Sequence, residues 1–144
     1  MTISRNRTRV FIATLATTIA LTFGFAAPAQ ATAQTCTLAK GGTVCTLVKG
    51  SGGRVDSVGV SRMSSGLASG NPGFICEYSA WFFAAPPRKS VVSLGTESRL
   101  GCGIGRVWLT KQVHRTFPKG TLVCAKFYED RWNNYITQRC VGLS

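Results

Sequence analysis

The chain has 144 residues, with 17 Lys and Arg against 5 Asp and Glu, and a formal net charge of +12. That length excludes a large multidomain enzyme and leaves one domain with a modest core. The positive balance favours anionic partners (nucleic acid, wall polymer, anionic lipid, acidic polysaccharide) and serves equally as a solubilising surface.

Residues 1–9 carry Arg5, Arg7 and Arg9 and no acid, 10–26 are apolar, and Pro28 breaks the run. Ala29-Gln30-Ala31 and Ala31-Thr32-Ala33 both place small residues where a signal peptidase reads them. The apolar run is short for a ~20-residue membrane span, and Thr14, Thr17, Thr18 and Thr22 dilute it. We therefore expect a cleaved secretory leader over 1–33, cut after Ala31 or Ala33, and a single β-rich domain over 34–144. Taking 33 residues from 144 leaves 111, and losing three arginines lowers the charge from +12 to +9. The expected product is a secreted, extracellular monomer with no stable membrane anchor.

All six cysteines, Cys36, Cys45, Cys76, Cys102, Cys124 and Cys140, follow that leader. An even count in an exported chain reads as three disulfides formed in an oxidising compartment. Between Cys36 and Cys45 the segment Lys40-Gly41-Gly42 predicts a tight hairpin turning at Lys40-Gly41, with glycine supplying positive φ. Cys36 then opposes Cys45 within disulfide reach.

Strands are expected at 44–49 and 54–63, followed by a Ser- and Gly-rich loop over 64–73. Residues 74–84 predict a long aromatic strand. Parity puts Phe74, Cys76, Tyr78, Ala80 and Phe82 toward the core, and Glu77, Ser79 and Trp81 away from it. A Pro86-Pro87 corner leads to a short strand at 89–94. Gly101-Cys-Gly103-Ile-Gly105 lacks the following helix of a dinucleotide fingerprint, so its glycines are expected to bend the chain beside a bridge. In the strand at 103–114, Val107, Leu109 and Val113 alternate with Arg106, Trp108, Thr110, Gln112 and His114, leaving Lys111 on the apolar side.

The last two strands, 122–128 and 135–141, form a hairpin centred on Trp132, which opposes Cys124 to Cys140. Cys76 and Cys102 are left as the third bridge. With no sustained helical period and about eight short strands, the fold expected is all-β, a small disulfide-stapled antiparallel β-sandwich or Greek-key barrel.

Gly120, Val123 and Cys124, followed by Cys140 and Val141, form a G-x-x-[VI]-C … C-[VI] pair. In this the chain resembles small secreted disulfide-stapled β proteins of bacteria, a group that implies no activity. Secreted subtilisin inhibitors are similar in length, but their reactive loop needs a Cys-Pro that this sequence lacks.

Candidate contact residues follow from the pattern. Arg106 and Trp108 share a sheet face, where stacking and charge suit a sugar or anionic polymer; the alternative is a Trp108 packed under a loop. Trp132 and Tyr135 lie at or near a hairpin tip, a place for recognition aromatics. Lys111, His114, Arg115 and Lys119 gather as a small polyanion patch or a solvated turn.

No catalytic residues, cofactor or metal are expected. One histidine and oxidised cysteines leave few ligands and no thiolate nucleophile. The function expected is a basic non-enzymatic binding protein, inhibitor-like or envelope-associated, meeting a protein or an anionic polymer outside the cell. Alternatives are an antagonistic, antimicrobial protein acting on anionic envelopes, and a small secreted ribonuclease using Glu77 or Glu97 with His114 and Arg106.

Overall fold

The computed structural model describes residues 31–66, 73–130 and 133–144. Nearly all of the expected leader, most of the 64–73 loop, and Trp132 lie outside the described residues. Both expected cleavage points fall within the first strand, β1 (Ala31–Ala39).

β1 turns at Lys40-Gly41 into β2 (Gly42–Ser51), with Gly41 at φ 70° and Cys36 opposite Cys45, as the spacing implies. A two-glycine turn, Gly52-Gly53, leads to β3 (Arg54–Ser64). The remaining strands are β4 (Phe74–Cys76), β5 (Ser79–Ala85), β6 (Val92–Ser98), β7 (Cys102–Ile104), β8 (Arg106–Thr116), β9 (Leu122–Glu129) and β10 (Asn134–Gly142). They form two four-stranded antiparallel sheets, β1-β2-β3-β8 and β10-β9-β5-β6, and a β4-β7 ribbon.

The sheets pack face to face, with β1 beside β10 along one margin and β6 beside β8 along the other. The fold is thus all-β, antiparallel and disulfide-stapled. Val44, Val58 and Val60 of the first sheet meet Ala80, Phe82, Val123, Ala125 and Phe127 of the second, all without exposed surface. Burying such a Val or Phe side chain contributes about 1.5–3 kcal/mol. β-Branched residues at alternate positions suit both the pleat and this core.

All three bridges join directly opposed residues: Cys36–Cys45, Cys76–Cys102 and Cys124–Cys140, with Cα atoms 4.0, 3.9 and 4.0 Å apart. The hairpin between β9 and β10 slips one residue between Tyr135 and Thr137, and this bulge leaves the Cys124–Cys140 register intact.

Two expected strands are each broken in two. Residues 74–84 break at Glu77, whose φ is 46° and whose N–H donates to Gly101 O. The break shifts parity, so Ile75 is buried while Phe74, expected in the core, is 70% exposed. Downstream, Tyr78, Ala80 and Phe82 do face the core.

Gly105, at φ 69°, likewise divides 103–114 into β7 and β8. Gly103 packs so closely that an added Cβ would lie 2.3 Å from Val107 Cγ1. The strand expected at 89–94 starts later, at Val92, because residues 86–89 close a turn through Lys89 N–H donating to Pro86 O. The sandwich therefore has two distinct ends. One carries the turn at 52–53 and the connections 86–91 and 117–121; the other carries the Lys40-Gly41 turn, the β9–β10 connection and the β4-β7 ribbon.

Candidate functional site

On the outer face of the first sheet, the middle of the central strand β3 turns small residues outward, Ser57, Gly59 and Ser61, and Met63 follows them on the same face opposite Arg106. The cross-strand partners of the three small residues on β8 are Gln112, Thr110 and Trp108, and on β2 Lys49, Leu47 and Cys45. A low central row between taller flanking rows makes a trough. It encloses about 350 Å³ and is lined by Leu47, Lys49, Ser57, Gly59, Trp108, Thr110 and Gln112.

At one end the Arg106 guanidinium lies 5.6 Å from the Trp108 ring centre, and its Nη2 reaches Met63 Sδ at 3.4 Å. At the other end Lys49 and Gln112 lead toward the end of the sandwich that carries the 52–53 turn. Gly59 keeps the floor open, for a Cβ there would meet Thr110 Oγ1 at 3.3 Å and Leu109 O at 3.4 Å.

The two described tryptophans have different surroundings. Trp81, on the outer face of the second sheet, donates its indole N–H to Ser93 Oγ at 3.0 Å. It packs on Phe83 at 4.8 Å and lies under Lys126 Nζ at 5.1 Å, so it is a covered structural ring. Trp108 is 45% exposed, and among the described residues its side chain makes no hydrogen bond. Among the described residues, no side-chain hydrogen bond within the protein engages Lys49, Ser57, Trp108, Thr110 or Gln112. An aromatic face and several unengaged donors and acceptors thus converge on one concave strip.

The other expected contact residues are dispersed. Tyr135 is 54% exposed and packs against Tyr128 at 5.6 Å. Burial, with Tyr135 as the lesser cause, raises the Tyr128 phenol above the ordinary 10.0. Because the folded chain holds this proton more tightly, the contribution to stability is full below pH 10.0 and is lost as pH rises through the raised value. Tyrosinate absorbance during an alkaline titration is expected to show Tyr128 ionising late and reverting on unfolding, a component that Tyr128→Phe removes.

His114 and Arg115 are exposed beside a bulge at the far end of β8, where His114 has φ 48°. His114 Nδ1 lies 3.9 Å from Asp56 Oδ1, which Arg54 holds at 2.7 Å. Arg106 sits eight residues away on the same strand, about 26 Å at ~3.3 Å per residue. Lys111 points inward at the sheet margin and binds Glu97 at 2.9 Å, which accommodates a charge on the apolar side and ties β8 to β6. The set Glu97, His114 and Arg106 is therefore not gathered. Among the described residues, no group of three His, Cys, Asp or Glu side chains is placed to hold a metal ion.

Two features escaped the sequence reading. Arg62, 4% exposed, is buried between the sheets. It pairs with Glu129 at 2.8 Å and donates to the Lys40 carbonyl, and among the described residues its Nη1 has no hydrogen-bond partner. The trough floor was also missed, although the alternation of Val58 and Val60 with Ser57, Gly59 and Ser61 carried the signal. No protein-family model, curated protein or solved structure matches the chain.

Proposed function

We propose that the chain is an exported, non-catalytic binding protein that takes an extended glycan segment along the trough between β2 and β8. One observation carries this reading: a half-exposed Trp108 shares a concave strip with unengaged hydroxyl, amide and ammonium groups. A pyranose offers an apolar C–H face for an indole and a ring of hydroxyls for flanking polar groups, so it uses both kinds of surface at once. The floor of Ser57, Gly59 and Ser61 lets a chain lie close to the sheet. Lys49 and Arg106 add positive charge to its margins, which suits acidic polysaccharide in particular.

The test is titration of the mature domain with soluble neutral and acidic wall-type oligosaccharides, followed by tryptophan fluorescence and calorimetry. Trp108→Ala is expected to weaken binding by roughly tenfold or more, as removal of a central aromatic anchor does, with the melting temperature nearly unchanged. Tyr135→Ala, on the other sheet, is expected to bind as the parent does. Undiminished binding by Trp108→Ala rejects the trough as the site.

A further inference from the structure

We infer that the end of the sandwich carrying the 52–53, 86–91 and 117–121 turns is a docking face for a linear polyanion, independent of the trough. Its three turns are fastened side by side. Phe117 N–H donates to Gly53 O at 2.9 Å, and a Cβ on Gly120 would touch Pro87 Cγ at 3.9 Å. Arg54, Arg88, Lys89, Arg115 and Lys119 are thereby collected, all exposed. The acidic side chain at this end, Asp56, is held by Arg54. Among the described residues, Glu77, Glu129 and Asp130 lie at the opposite end, so these acidic side chains stand away from this basic face.

Arg88 supplies the second observation. It occupies the third position of the turn closed by Lys89 N–H on Pro86 O, with φ 57°. That position favours glycine, since an L side chain crowds its own backbone there. Arginine also lacks the short polar side chain with which Asn or Asp eases the strain. Among the described residues no protein group hydrogen-bonds the Arg88 side chain. A strained, exposed residue whose side chain no described group hydrogen-bonds is placed to meet a ligand.

Guanidinium forks match the oxygens of phosphate and carboxylate. The ligand chemistry is accordingly a chain of closely spaced oxyanions, as carried by phosphate polymers and by polyuronates. Inorganic polyphosphate and polygalacturonate serve as probes for the two sources. Each is titrated against the mature protein at rising salt.

Arg88→Gly is expected to loosen binding about tenfold and to flatten the salt dependence by about one ion. Its melting temperature is expected to equal or exceed the parent's, because glycine relieves the left-handed strain. Lys119→Ser is expected to reduce affinity and salt slope in the same direction, and Trp108→Ala to leave polyphosphate binding intact. The probe that binds more tightly names the source. Absence of binding by both probes, salt-independent binding, or an Arg88→Gly variant with parental affinity overturns the proposal. Loss of polyphosphate binding in Trp108→Ala would show instead that the trough alone is the site.

Discussion

Reduction of the three disulfides is expected to abolish the folded state of the β domain. The bridges close segments with sequence separations of 9, 26 and 16 residues. In the loop-entropy account each contributes about 2.5–3.5 kcal/mol, and together they contribute about 9 kcal/mol. A domain of this size has a total stability of about 5–15 kcal/mol. The Phe- and Val-lined core is thin, and the β4-β7 ribbon rests on it chiefly through Ile75 and Gly103. Circular dichroism melting with and without a thiol reductant tests this. The oxidised domain should melt cooperatively and the reduced one should show no transition. Of the single-bridge removals, the Cys76→Ser/Cys102→Ser pair should cost most, because it closes the longest segment. A reduced protein melting at the oxidised temperature would refute the role assigned to the bridges.

Glu129→Ala is expected to be the most damaging single change of charge. Arg62 has 5% of its side chain exposed and Glu129 23%, so removing the carboxylate strands a guanidinium that water reaches poorly. Stranding one partner of a buried pair costs about 3–5 kcal/mol, and the partial exposure of Glu129 points to the lower figure. The loss would also loosen the Lys40 carbonyl, which Arg62 holds, and with it the turn that carries the Cys36–Cys45 hairpin. Urea titration should show a lower midpoint with an unchanged slope. Replacing both partners by apolar residues, as in Arg62→Met with Glu129→Leu, should recover most of the loss. A Glu129→Ala variant within ~0.5 kcal/mol of the parent, the range of an ordinary surface substitution, would show that solvent reaches Arg62 after all.

How much of this was legible in the sequence follows from the range of the forces involved. The clasps at Cys36–Cys45 and Cys124–Cys140 were readable because a hairpin register is set by its own turn, within a few residues of the cysteines. Alternation in β8 was readable too, and Arg106 and Trp108 do share the outer face. The break at Glu77 was not, because it depends on a backbone bond to Gly101, twenty-four residues on, and no local residue preference announces a left-handed glutamate. The same long reach hid the partner of Lys111, since Glu97 arrives from the other sheet. The trough was half legible: its Trp108 wall stood out as an aromatic, whereas its floor is made of residues notable only for being small. Arg62 was missed because an arginine in an alternating strand reads as solvated until a second sheet covers it.

The three bridges have one property in common. Each lies within a pair of neighbouring antiparallel strands, and none passes from one sheet to the other. An oxidised chain in denaturant therefore still carries β1 tied to β2, β4 to β7 and β9 to β10. Refolding begins from three preformed ribbons, and the search that remains is for the distant partnerships β3 with β8 and β5 with β9. Much of the loop closure that slows all-β topologies is thus already complete before folding starts. The covalent framework acts on the speed of assembly and leaves the mating of the two sheets to their apolar faces.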